Sequence, residues 1–120
     1  MKVVGALAFV LACAAVARAQ DEVVYRQGNG VSTPKVVRDV KPQYTSEALR
    51  EKIKGAVILD AVVTSDGTVG NVTVRQSLDR FYGLDDNCVR ALKQWTFKPG
   101  MKDGKAVAVR INVTMTFTIH

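Results

Sequence analysis

The chain is short of the residues from which catalytic and metal centres are usually assembled. Its one histidine, His120, is the final residue and has no partner with which to orient a nucleophile or complete a metal site. It has two cysteines, Cys13 and Cys88, and Cys13 falls in an N-terminal apolar run; a chain trimmed of that run keeps one thiol and cannot close an internal disulfide. No glycine-rich phosphate loop and no spacing of metal ligands occurs. Glu22, Glu47, Asp60 and Asp79 fall in separate segments, with no carboxylate pair in a shared environment. These absences argue against an enzyme, a cofactor protein or a metalloprotein, and they leave the core to apolar side chains alone.

Long apolar runs are also missing. The longest stretch, Val3 to Val16, is shorter than the ~20 residues a membrane-spanning helix needs. It follows Lys2 and precedes Ala17-Arg18-Ala19, which puts small residues at both cleavage-determining positions. Residues 1–19 therefore read as a secretory signal peptide, with a mature chain starting near Gln20 in the periplasm or outside the cell. Two alternatives remain: an uncleaved membrane anchor, which the length disfavours, and lipidation at Cys13, which the apolar residues after it disfavour. Cleavage removes Lys2 and Arg18, leaving 15 basic against 11 acidic residues and a net charge of +4. Those charges are scattered (Lys35, Arg50, Lys54, Arg75, Lys93, Lys102, Arg110), which describes a solvated surface and not a nucleic-acid footprint.

The remaining residues hold one domain. Residues 20–36 carry no sustained period, and Gln27-Gly28-Asn29-Gly30 with Ser32-Thr33-Pro34 is linker chemistry, so this stretch reads as a flexible leader. The domain is expected over residues 37–120. Thr45 or Ser46 can cap a helix running to about Lys54, with Gly55 as its stop. Ala56 to Thr64 reads as a strand, Ser65-Asp66-Gly67-Thr68 as a hairpin turn with Gly67 at positive φ, and Val69 to Gln76 as the returning strand with Val72 and Val74 inward. Leu84, Cys88, Ala91, Leu92 and Trp95 form one helical stripe. That stripe makes a buried, inert thiol of Cys88, while Asp85 and Asp86 sit in the first turn, where they favour the helix dipole. The last segment has the cleanest period: Val107, Val109, Ile111, Val113, Met115, Phe117 and Ile119 alternate with smaller or polar residues, giving a half-buried strand with a wet face. The order helix, strand, strand, helix, strand predicts an α+β two-layer sandwich, two helices on one face of a three-stranded antiparallel sheet in the order 2-1-3.

An ordered set of landmarks runs through this region: Pro42-x-Tyr44 with Ala48; Ile53-x-Gly55-x-Val57; Asp66-Gly67-x-Val69; Ala91-x-x-x-Trp95-x-Phe97-x-Pro99-Gly100; then Gly104 and the strand ending at Phe117. From about Val37 to His120 the sequence resembles the C-terminal domain of TonB energy transducers. The resemblance implies a periplasmic protein-binding module that grips an extended segment of an outer-membrane transporter, or of another envelope protein, by strand addition. It departs from the family at Thr45, where proline is common, and at Lys41, where glutamine would be closer. A proline-rich spacer is also expected of such transducers, and only Pro34 precedes the domain.

Strand addition needs an open edge. The final strand offers one through the backbone of Val107, Val109, Arg110, Ile111, Asn112, Val113 and Thr114, bordered by Pro42, Gln43 and Tyr44. An edge this long and regular is either protected or used, by a partner segment or by a second copy of the chain in a homodimer. Gly55, Asp66, Gly67, Trp95, Phe97, Pro99 and Gly104 read as structural; Trp95 and Phe97 are core aromatics before they are a ligand platform. Two rivals share the architecture. A nucleic-acid-binding module would need aromatics on the open sheet face, where this chain has Arg110, Asn112, Thr114 and Thr116. A secreted adaptor or inhibitor would need nothing further, because a fold does not fix a function.

Overall fold

The computed structural model describes residues 23–119. The expected signal segment and His120 lie outside the described residues. Nine elements follow in order: β1 (Val24–Tyr25), β2 (Lys35–Arg38), α1 (Ser46–Arg50), β3 (Gly55–Val63), β4 (Val69–Gln76), α2 (Leu84–Lys93), β5 (Thr96–Lys98), β6 (Gly100–Lys102) and β7 (Lys105–Phe117).

β3 and β7 are the spine. They run antiparallel in unbroken register from Gly55 opposite Phe117 to Val63 opposite Val109. Because side chains alternate along a strand, this register sends Val57, Leu59, Ala61 and Val63 to the same face as Val109, Ile111, Met115 and Phe117, and all eight are buried. α2 covers that face with Leu84, Cys88, Ala91 and Leu92, and Ala48 of α1 joins the same core. The helical stripe stops short of Trp95, which leaves the helix after Gln94 and is only half-buried.

β4 returns beside β3 through a tight hairpin. The Gly67 N–H donates to the Thr64 carbonyl and the Thr64 N–H to the Thr68 carbonyl, with Gly67 at φ +87°. That is a three-residue loop closed by a glycine bulge. Gly67 is fixed from outside as well: its carbonyl accepts the Phe97 N–H at 2.8 Å, and a Cβ there would lie 2.1 Å from the Phe97 oxygen. Of the two β4 valines expected inward, Val72 is half-buried, whereas Val74 remains 38% exposed because β4 is the sheet's outer strand.

Three expectations are corrected. The helix ends at Arg50, not near Lys54, and Gly55 is not its stop. Lys52 takes φ +57° and donates to the Leu49 carbonyl, while the Ile53 N–H reaches the Ala48 carbonyl. Those two bonds satisfy the helix's last carbonyls, an ending usually built on glycine. The sheet has five strands and is mixed, not three and antiparallel: β1 pairs parallel with β7, β6 pairs with β7, and β2 and β5 form a separate two-stranded sheet. The stretch read as a leader contains β1 and begins β2; strands of two and four residues, exposed along most of their length, carry no period to read. The architecture is an α+β fold with two helices and a curled mixed sheet.

Candidate docking edge

Val109 pairs with Val63 of β3 and with Tyr25 of β1, so β1 and β3 lie on opposite sides of β7. β6 pairs with the start of β7, from Lys105 to Val107. Val107 and Val109 are therefore engaged within the chain. From Arg110 to Phe117 β7 is paired with β3, and among the described residues no strand pairs with its outer side.

The hairpin fixes which backbone groups face outward. The Thr64 N–H points to β4, and N–H direction alternates along a regular strand, so Val63, Ala61, Leu59 and Val57 direct theirs toward β7. In an antiparallel pair their partners Val109, Ile111, Val113 and Met115 point back, which leaves the amides and carbonyls of Asn112, Thr114 and Thr116 facing away from β3. Arg110 shares that parity but sits next to β1. The side chains of Arg110, Asn112, Thr114 and Thr116 are exposed on the wet face, where Asn112 Nδ2 donates to Asp60 Oδ1 at 2.9 Å and Arg75 lies 3.6 Å from the same oxygen. Ile111 is buried and Val113 half-buried, and their backbone groups face β3, so these two anchor the strand and leave the outward hydrogen bonds to Asn112, Thr114 and Thr116.

A groove runs along the second half of this edge, lined by Thr114 to Thr118 on one side and by Val40, Pro42, Tyr44 and Trp95 on the other. Its walls are held in place. The Tyr44 hydroxyl donates to the Ile53 carbonyl at 2.6 Å, and its ring meets Phe117 edge-on with centroids 5.0 Å apart. Trp95 Nε1 donates to the Val40 carbonyl at 2.8 Å, and its ring lies 6.0 Å from that of Phe97. Pro42 and Tyr44 thus join Thr114, as the sequence suggests. Gln43 does not: its carbonyl accepts from Asn87 Nδ2 at 2.7 Å and it faces a different groove with Arg90 and Gln94. The site residues named from the sequence stop at Thr114, within an edge expected to run from about Val107 to Phe117, and the groove is lined onward by Thr116 and Phe117. Trp95, read from the sequence as core, is core and groove wall at once.

The residues read as structural are placed as follows. Gly55 has φ +139°, and a Cβ there would press on Leu78. The Asp66 N–H closes onto Thr64 Oγ1 in the hairpin, and Phe97 is buried. Pro99 separates β5 from β6, and Gly104 at φ +78° turns β6 into β7. Cys88 is fully buried, and burial, with the Asp85 charge beside it, pushes its thiol up to about 12. The dipole role expected of Asp85 is the lesser part of its function. Asp85 is buried and accepts the N–H groups of Leu78 and Asp79 and the Ser77 hydroxyl, while Asp79, also buried, accepts those of Phe81, Tyr82 and Leu84. The two carboxylates organise the 77–83 loop together, a pairing the sequence spacing did not reveal.

What this geometry defines is a small α+β domain whose one long, straight strand has an open edge beside an aromatic-walled groove. The pattern of the Gram-negative bacterial TonB protein C-terminal family matches residues 40–119, and the chain belongs to that family. Among curated relatives it is 30% identical over 79 residues to the protein tonB2 of Pseudomonas aeruginosa, covering 66% of this chain and 29% of that protein. It is 31% identical over 88 residues to the protein TonB of Vibrio cholerae, covering 71% and 34%. The chain thus spans about a third of the length of these relatives. The solution structure of the Pseudomonas aeruginosa TonB C-terminal domain superposes with a TM-score of 0.60 at 25% identity, over 82% of this chain and 95% of that one. Among the described residues no helix is long and apolar enough to cross a membrane.

Proposed function

We propose that this domain is a periplasmic docking module of the TonB type, which takes an extended segment of an outer-membrane transporter as an added strand on β7. The observation that carries the reading is the outer edge beyond Val109, open beside a groove walled by Pro42, Tyr44 and Trp95. Asn112, Thr114 and Thr116 supply outward backbone donors and acceptors at every second residue, the spacing an extended chain requires. Each such bond contributes ~1 kcal/mol net, so affinity accumulates along the strand without demanding one side-chain sequence. Membership of the TonB family supports the partner class, and energy transduction belongs to the larger assembly in which such a domain would work.

The test is Thr114→Pro. Proline removes an outward-facing donor without touching the core, and edge strands tolerate it. The variant should melt within a few degrees of the parent yet lose copurification with the outer-membrane transporter that the parent retains. Normal copurification by a folded Thr114→Pro variant would refute docking at this edge. Sedimentation velocity on the same pair identifies the other occupant, a second copy of the chain, by a dimer that disappears in the variant.

A further inference from the structure

The wet face of the sheet carries a charge imbalance next to the start of the open edge. Arg26, Arg75 and Arg110 line one shallow hollow together with Asp60 and Asn112. The single carboxylate among them is already engaged: Asp60 Oδ1 lies 3.6 Å from Arg75 Nη1 and accepts from Asn112 Nδ2 at 2.9 Å. Among the described residues Arg26 and Arg110 have no carboxylate partner, and both side chains are exposed. The topology brings these two together. β1 runs parallel to β7 with Tyr25 level with Val109, and the next residue along each backbone is an arginine. Like charges side by side destabilise a sheet, and an anion held between them removes that cost.

Register fixes where the pair meets the edge. β1 covers the outer side of β7 as far as Tyr25, so a strand added beyond it continues the line of β1, whichever way it runs. Residues level with one another on neighbouring strands project to the same face, and a side chain of the added strand level with Asn112 therefore stands on the wet face. Arg110 is then its diagonal neighbour on β7, within reach of a long side chain, and Arg26 closes the end of its line. Farther along, Thr114 and Thr116 are uncharged, and the charged residues lining the groove, Asp39 and Lys41, are one of each sign. Among the lining residues the positive excess thus lies at the Asn112 end. Two guanidiniums suit one carboxylate, which arginine binds through paired N–H groups. They are too few for the polybasic cluster that holds an anionic membrane, and the hollow has no exposed apolar lining residue to enter a bilayer.

We infer that Arg26 and Arg110 form a carboxylate subsite, which selects an aspartate or glutamate in the segment docked on β7 at the position level with Asn112. The subsite rests on the docking reading above, and the experiment separates the two. A phage-displayed library of random short peptides is panned against the full chain, against its charge-reversed variant Arg26→Glu/Arg110→Glu and against Thr114→Pro. The parent should enrich peptides with an acidic residue at one fixed place, the charge-reversed variant peptides with Lys or Arg at that place, and Thr114→Pro neither. Replacing the acidic residue of a parent-selected peptide by its amide should weaken binding about fivefold, the scale of exposed ion pairs, and this loss should vanish in Arg26→Gln/Arg110→Gln. Both arginines are exposed, so the variants should melt with the parent; if the charge-reversed one does not, the glutamine pair alone decides. An enriched set without a fixed acidic place, the same set from parent and charge-reversed variant, or a loss that persists in the glutamine pair overturns the subsite and leaves the edge standing. The same set from Thr114→Pro, or no enrichment by the parent, overturns the docking reading and the subsite with it.

Discussion

The two long strands that flank β3 have been treated in opposite ways. β4 leaves its register with β3 twice, between Asp60 and Val62 and again between Ile58 and Leu59, and Asn71 takes φ +49° in the first of these irregularities. β7 keeps step with the same strand over its whole shared length and has no proline within it. Bulges twist an edge and break the row of donors and acceptors that another chain could use. One edge is thus made unattractive to other chains while the other is left straight, and the difference is informative because both face one central strand. A sheet selected for stability alone would gain nothing by disrupting only one side.

The most damaging way to break this contrast is to disturb the hairpin that sets the registers. Gly67→Ala forces a side chain into a left-handed position 2.1 Å from a backbone oxygen, and the expected cost is on the order of 3 kcal/mol. Thermal denaturation should show a drop of more than about 10 °C for a domain of this size. Trp95→Ala acts on the β7 side only. It should cost about 2 kcal/mol, less than for a fully buried ring, and it should weaken docking by removing a groove wall. Equilibrium urea unfolding and a binding assay on the same sample check both parts.

Cys88 belongs to the core shared by the sheet and α2, so its effect falls on the whole domain and not on one edge. Burial, with the Asp85 charge beside it, raises its folded thiol from the ordinary 9.0 to about 12, so the neutral form is the one folding favours. The contribution is full below about pH 9 and is lost as pH rises toward 12, which predicts falling stability over that window and a smaller fall in Cys88→Ala. Thiol labelling should be slow in the native protein and fast once it unfolds. The smallest effect belongs to the β4 side: Arg75→Gln removes an ion pair whose arginine is 66% exposed, which should change stability by less than ~1 kcal/mol and leave docking unaltered.

Much of this was legible before any coordinates. The Asp66-Gly67 turn, the stripe from Leu84 to Leu92 and the alternation from Val107 to Phe117 each report a strong local constraint, and together they place the core. What escaped was set by tertiary contact. β1, β5 and β6 are two or three residues long and exist because β7 or β2 lies beside them. α1 ends at Arg50, and the chain leaves it by a left-handed turn at Lys52 that lysine does not advertise. The coupling of Asp79 to Asp85 depends on a loop closing over itself, and the partial covering of the β7 edge depends on residues 24 and 25 returning to it from far along the chain.

The central claim is that β7 presents an open outer edge to a partner strand, and amide hydrogen exchange resolved by residue tests it most directly. In the free protein the account predicts alternation: slow exchange at Ile111, Val113 and Met115, whose amides face β3, and fast exchange at Asn112, Thr114 and Thr116, which slow when the transporter segment is added. Uniformly slow exchange along β7 in the free monomer, or fast exchange at those three amides persisting in the formed complex, would contradict it.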